Sequence, residues 1–152
     1  SLEPLLREIG TVHGALAEKK GLSLHLHLAG DLPATIHTDA RRMRQILDNL
    51  LQNAIKFTSS GSVTLSAGVA GSSLEFRVSD TGPGIPLQDR PMLFQRFGQS
   101  GRTDPRVQEG AGLGLALARD LLAIMGGSIS LDATSDHGST FIVRMPLHDG
   151  RM

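Results

Sequence analysis

The chain has 152 residues, 15 basic and 15 acidic side chains, a formal net charge of zero, and no cysteine, tryptophan or tyrosine. That is about one ordinary domain, long enough to bury a real core. Its neutrality gives no electrostatic case for nucleic acid or an anionic membrane as main partner. The lack of Trp and Tyr removes the stacking platforms of single-strand binders, and the lack of Cys removes thiolate chemistry and disulfides. No apolar run nears the roughly 18 residues of a membrane span and no signal peptide opens the sequence, so the expectation is a soluble globular domain cut from a longer protein.

Taken in order, "LEPLLREIGTVHGALAEKKG" reads as a helix with Leu5, Leu6, Ile9, Val12 and Leu16 as its apolar stripe and Gly21 as its stop. "LSLHLHLAGDLP" alternates strictly, placing Leu22, Leu24, Leu26 and Leu28 on one face of a strand. A short extended piece, 34–38, leads to Asp39 as a helix N-cap. The helix that follows, 40–57, carries Met43, Ile46, Leu47, Leu50, Leu51, Ala54 and Ile55 in unbroken helical repeat. Segments 61–70 and 73–80 alternate again and read as a hairpin about Gly71-Ser72. "TGPGIP" is a turn cluster, and 87–109 is polar and mixed, a length of weakly structured chain that often serves as a lid. "GAGLGLALARDLLAIMGG" reads as a helix entered on glycines, with Leu113, Leu117, Leu121, Ile124 and Met125 as its stripe and Gly126-Gly127 as its end. A hairpin around "SDHG" closes the chain. The predicted fold is two-layer α/β, helices beside a largely antiparallel sheet.

Three stretches carry polar residues of chemical interest. At about 100° per residue, Asn49, Asn53 and Lys56 share one stripe of the long helix with Arg42, Gln45 and Gln52. Read alone, such a stripe is a solvated face. Read as a site, amide oxygens one turn apart reach a hard cation or its waters, and the lysine meets a phosphate. Two amides without a carboxylate suit a magnesium ion already carried by phosphates. In "DTGPGIP", Asp80 ends a strand before Gly82 and Gly84. That is a tight turn by composition. It is equally a carboxylate able to accept from an exocyclic amine, as in adenine, with glycines that let a flat ring come close. "GAGLGL" sets Gly110, Gly112 and Gly114 at a helix entry, where free N–H groups and the positive end of the dipole suit phosphate. The spacing is GxGxG with no preceding strand, and no Gly-Lys-Ser/Thr follows, so neither the Rossmann nor the P-loop pattern applies.

In this order and spacing the stretches resemble the GHKL ATP-binding family, and within it the catalytic, ATP-binding domain of bacterial sensor histidine kinases. "QILDNLLQNAIKFT" resembles the N box, "DTGPGIP" the G1 box, "LFQRF" the F box and "GAGLGLALA" the G2 box; "GSTF", Gly138 to Phe141, resembles the closing glycine-hydroxyl element. The likeness covers nearly the whole chain. It implies a two-layer sandwich of about three helices on a mixed, largely antiparallel sheet, with a flexible ATP lid at about 86–109. It also implies a domain over 11–149, with residues 1–10 as a junction to preceding dimerisation helices. The cofactors implied are ATP and Mg2+. Asn53 would coordinate the magnesium with Asn49 in support, and Lys56 would neutralise phosphate charge, Asn49 and Lys56 being the catalytic candidates. Phe57 would lie against the adenine, and Asp80 would read its amine, with Gly82, Gly84 and Ile85 shaping that wall. Gly110, Gly112, Leu113 and Gly114 would present phosphate-facing backbone, Thr140 would sit near the base through water, and Phe94 and Phe97 would anchor the lid.

ATP-hydrolysing relatives such as gyrase and the heat-shock chaperones, and the anti-sigma serine kinases, carry a glutamate base where Asn49 stands. An amide cannot take a proton from water or serine at pH 7, so Asn49 favours transfer to an imidazole supplied elsewhere. Many histidine kinases also place an arginine two residues after the second F-box phenylalanine. Here that residue is Gln99, as in many hybrid kinases, with Arg102 or Arg106 as substitutes. His13 lacks the acid that follows a phosphoacceptor histidine, His25 and His27 lie on the polar side of a strand, and His37 and His148 have no partners at ligand spacing. All five are expected at the surface. The resemblance therefore implies a histidine-bearing dimerisation domain and a response regulator as partners, no nucleic acid, and a homodimeric full-length protein. This domain would be cytoplasmic without direct membrane contact, whether or not the whole protein is anchored to an inner membrane. The alternatives are a nucleotide-binding regulatory or scaffold module and, against Asn49, a GHKL ATPase.

Overall fold

A computed structural model describes residues 2–33, 39–58, 60–82, 111–135 and 138–146. The extended piece expected at 34–38 and the lid expected at 86–109 lie outside them. Helix α1 (Leu2–Lys19) leads to strand β1 (Ser23–Leu28), helix α2 (Ala40–Phe57) to the hairpin β2 (Ser62–Ala70) and β3 (Ser73–Asp80), and helix α3 (Ala111–Ile124) to the hairpin β4 (Ser128–Ser135) and β5 (Gly138–Pro146). The five strands form one sheet in the order β1-β2-β3-β5-β4. Among the described residues only the β1–β2 pair is parallel, a pairing made possible by helix α2, which carries the chain back across the sheet. Among the described residues, three helices on a mixed, largely antiparallel sheet give the architecture expected from the sequence.

Local rules account for most elements. Asp39, in extended conformation, accepts from Arg41 N at 3.0 Å and Arg42 N at 3.2 Å, satisfying two amides that the first turn of α2 leaves over. Met43, Ile46, Leu47, Leu50, Leu51, Ala54 and Ile55 are all buried, as their period requires. Gly71 takes a left-handed φ of 61° between Ala70 and Ser73, which face each other across the hairpin. Val63, Leu65 and Ala67 of β2 and Leu74, Phe76 and Val78 of β3 point at the helices and join the core. The opposite face of the sheet carries charge. There Glu75 accepts from Arg144 Nε at 2.9 Å and Arg77 Nε at 3.1 Å.

The buried face of α1 differs from the expected stripe. Leu2, Leu6, Ile9, Gly10, His13 and Ala17 are buried, whereas Val12 is 44% exposed and Leu16 42%. Of the two glycines of α1, Gly10 is the one on that face: a Cβ there would stand 3.4 Å from Leu26 Cδ2 of β1, whereas one at Gly14 would meet nothing within 4 Å, so the helix lies on the sheet at Gly10. The residues flanking Gly10 on that face go inward, His13 among them. His13 is 1% exposed, and its Nε2 donates to Asp48 Oδ1 of α2 at 2.8 Å. The expectation of a surface histidine is corrected for His13, while His25 and His27 are exposed. Beside this pair Arg44 reaches Glu8 at 2.7 Å. That bond, with the nearby charges of Glu8 and Asp48, holds the Arg44 guanidinium above its ordinary range. The buried residues of α3 are likewise Leu115, Ala116, Ala118 and Leu122, and Ile124 is 66% exposed. Leu2, Leu6 and Ile9 belong to the same core cluster as α2 and the sheet, so the first turns of α1 are part of this packed unit.

Candidate functional site

The C-terminal end of α2 and the end of β3 lie together. The helix closes at Phe57 and is capped at Thr58, whose N–H donates to Ala54 O. The chain then turns through Ser60 and Gly61 into β2, and this loop is tied to the residue after Asp80: Thr81 N donates to Ser62 O at 3.2 Å and Thr81 Oγ1 to Ser60 O at 3.1 Å. At 1.5 Å per residue, Asn53 lies only about 8 Å up the helix from that cap.

Burial changes the meaning of the asparagine stripe. Asn53 is 8% exposed, and its Oδ1 is buried with no hydrogen-bond partner among the described residues. Asn49 Nδ2 is in the same condition. The plain reading of the stripe as a solvated face therefore fails at these two residues, although Lys56 is exposed. A buried amide without a partner costs about 1–3 kcal/mol, so such groups in a native structure call for a partner that arrives with a ligand. An orphan amide oxygen fits a hard cation or one of its waters. The orphan donor of Asn49 suits a phosphate oxygen better than a cation. Among the described residues no three His, Cys, Asp or Glu cluster in a way that could hold a metal.

Asp80 forms the other wall. It is 7% exposed, and its Oδ1 accepts from Gly82 N at 2.9 Å, a local turn that fixes the direction of the carboxylate. Strand pairing sets Asp80 opposite Ser139 and Ser79 opposite Thr140. Because side chains alternate along a strand, Ser139, 3% exposed, shares the inner face with Asp80. Thr140 faces the other way, its Oγ1 3.0 Å from Ser79 Oγ. Thr140, expected near the base, thus lies on the face away from Asp80, and the hydroxyl on the Asp80 face is that of Ser139. The alternation was legible, but the partner strand and its register were not.

The structure shows two further features that the sequence did not signal. Thr58 is fully buried and its Oγ1 has no partner among the described residues. Lys20 Nζ donates to the main-chain oxygens of Ile55 at 2.7 Å and Lys56 at 2.6 Å, fastening the end of α2 from the end of α1. Gly112, Leu113 and Gly114 lie in the first turn of α3, as expected, and Phe57 is the last residue of α2. Gly84, Ile85, Phe94, Phe97, Gln99, Arg102, Arg106 and Gly110 lie outside the described residues, as do His37 and His148.

The family described as "Histidine kinase-, DNA gyrase B-, and HSP90-like ATPase" matches residues 38–149, from the cap of α2 past the end of β5. The chain belongs to this family. Among its relatives in the family, the sensor histidine kinase RcsC of Escherichia coli (strain K12) is 41% identical over 133 residues, 88% of this chain and 14% of that protein. The signal transduction histidine-protein kinase BarA of the same organism is 37% identical over 145 residues, 92% of this chain and 16% of that protein. The chain thus spans about one-seventh of the length of these relatives. Full-length ShkA, solved in complex with AMPPNP, superposes with a TM-score of 0.83 at 36% identity, over 97% of this chain and 30% of that one. The catalytic domain of the histidine kinase ThkA, solved nucleotide-free, superposes with a TM-score of 0.80 at 26% identity, over 96% of this chain and 92% of that one. This ATPase family is the one that the N, G1 and G2 stretches resemble.

Proposed function

We propose that this chain is the ATP-binding catalytic domain of a sensor histidine kinase, holding Mg-ATP for transfer of its terminal phosphoryl group to a histidine on a separate dimerisation domain. One observation carries the reading. Asn53, with its buried orphan oxygen, lies in the last turns of α2, and Asp80, with its buried carboxylate, ends the strand to which the loop leaving α2 is tied; the first matches a phosphate-borne cation and the second the adenine amine. Asp80 would accept from that amine, and the hydroxyl of Ser139 would hold a water beside it. The donor of Asn49 and the ammonium of Lys56 would meet phosphate oxygens. Gly112 and Gly114 would give the phosphates close access to the first turn of α3.

Magnesium, when bound through Asn53, would supply charge neutralisation across the phosphates. The protein's own part is positioning, which carries most of phosphoryl transfer. Asn49 has no basicity at neutral pH and leaves water unactivated. The acceptor imidazole, from the dimerisation domain, bonds to the terminal phosphorus as the bond to the bridging oxygen breaks and ADP leaves. A response regulator downstream, a homodimeric parent and a cytoplasmic location, where ATP is supplied, complete the proposal.

Titration calorimetry with Mg-ATP tests it. Asp80→Asn keeps an oxygen able to accept from Gly82 N and should fold normally, but its amide presents a mixed donor and acceptor to the base. The expected result is a loss of ATP affinity of about 100-fold. Unchanged affinity in a folded Asp80→Asn variant refutes the assignment. Mixing the domain with its cognate histidine-bearing helices and labelled ATP tests the transfer, and absence of acid-labile phosphate refutes the kinase reading.

A further inference from the structure

The peptide that carries Asp80 is gripped from both flanking strands by residues that the reading above does not use. On the β2 side, Thr81 Oγ1 accepts from Ser62 N at 3.1 Å and donates to Ser60 O at 3.1 Å, while Thr81 N donates to Ser62 O at 3.2 Å. Gly61 sits between these partners with a φ of 107°, and a Cβ there would overlap the Thr81 hydroxyl. On the β5 side, Gly138 has a φ of 143°, and a Cβ there would overlap the Asp80 carbonyl oxygen and stand 3.1 Å from Thr81 Cα. Both glycines hold a backbone region that other residues rarely adopt. The Asp80–Thr81 peptide therefore lies in a slot between the entries of β2 and β5, and the Thr81 hydroxyl bolts it to the loop leaving α2.

The carboxylate direction depends on this backbone, because Asp80 Oδ1 is tied to Gly82 N at 2.9 Å, one residue past Thr81. A hydrogen bond that is good at 2.7–3.2 Å is gone by about 3.6 Å, so small freedom at residues 80–82 is enough to spoil base recognition. We propose that Thr81 is a positioning residue that sets selectivity for adenine by fixing the backbone from which Asp80 reads the base. The inference rests on the adenine reading given above and deepens it. A carboxylate held in place accepts from the adenine amine and repels the guanine carbonyl oxygen. A carboxylate on a loosened backbone does both poorly. Thr81 and Ser60 are exposed, so water can replace the lost bonds and the fold should survive removal of the hydroxyl.

The test is titration calorimetry of the 152-residue chain with Mg-ATP and Mg-GTP as the two probes. Thr81→Val keeps the branched shape and removes the hydroxyl. It should weaken ATP binding by roughly five- to tenfold and GTP binding by less than about twofold, the scale of one lost hydrogen bond, so that the ATP-to-GTP ratio falls. Thr81→Ser, which keeps the hydroxyl, should restore the ratio. General destabilisation would weaken both nucleotides together, so an unchanged ratio in Thr81→Val overturns the inference. If Thr81→Val does not fold by circular dichroism, Thr81→Ala decides on the same ratio. A chain that binds ATP and GTP equally before any substitution overturns the adenine reading and this inference together. A preference that survives the loss of the hydroxyl overturns this inference alone.

Discussion

Lys20 donates its ammonium to the carbonyl oxygen of Ile55 at 2.7 Å, so the residue after α1 caps the last turn of α2. The same nitrogen reaches Lys56 O at 2.6 Å. Both carbonyls belong to the final turn, where no helical N–H follows to pair them and a cation is favoured.

Replacing Lys20 with Met should therefore destabilise the domain by about 1 kcal/mol. That lowers the thermal midpoint by roughly 2–4 °C for a chain of this size. Thermal unfolding followed by far-ultraviolet circular dichroism reads it, and Lys20→Arg should recover part of the loss. An unchanged midpoint in Lys20→Met would show that the cap adds nothing.

Asn53→Leu should separate stability from binding. Its buried Oδ1 has no partner among the described residues, and an apolar side chain of similar size removes that cost, so the variant should equal or exceed the parent by up to about 1 kcal/mol. Added Mg-ATP should raise the midpoint of the parent by mass action and leave the variant unmoved. A variant less stable by several kcal/mol would mean that the amide serves the fold rather than a ligand.

Ser139 and Thr140 make a matched pair of tests. Ser139→Ala removes the hydroxyl on the Asp80 face and should weaken Mg-ATP binding by about fivefold. Thr140→Val removes the bond to Ser79 on the other face. It should cost up to about 1 kcal/mol of stability with nucleotide affinity kept within about twofold of the parent. The opposite pattern in calorimetry would return the site hydroxyl to Thr140.

His13 and Asp48 predict an order of stabilities. Asp48→Ala strands a buried Nε2–H at a cost of about 1–3 kcal/mol, whereas Asp48→Asn keeps an acceptor oxygen and should cost less. The contact of Arg44 with Asp48 at 3.7 Å is partly exposed and should add little. Urea unfolding ranks the three proteins, and equal midpoints would show that the pair holds nothing together.

Much of the fold was legible in the chain. Asp39 announced the start of α2, the unbroken repeat from Met43 to Ile55 its buried face, the alternation from Leu74 to Val78 a strand with one side inward, and Gly71-Ser72 the turn between strands. These signals are local, since a cap, a helical repeat and a two-residue turn are each set by neighbours a few positions away. The spacing of Asn49, Asn53, Asp80 and the glycines of 110–114 was also enough to point to the family. It was not enough to tell a solvated asparagine from a buried one.

What the tertiary structure decided was which of two adjacent candidates meets a residue distant in the chain. On α1, Val12 and Leu16 fit an apolar stripe as well as any residue. The helix instead meets Leu26 at Gly10, and His13 on that same face goes inward. On β5, alternation said that Ser139 and Thr140 face opposite ways, but only the register against β3 could say which one lies beside Asp80. Helical period and strand alternation are properties of the backbone's own geometry, so a sequence carries them by itself. Rotation of a helix on a sheet and register between strands arise from contacts between segments far apart, and those exist only once the chain has folded.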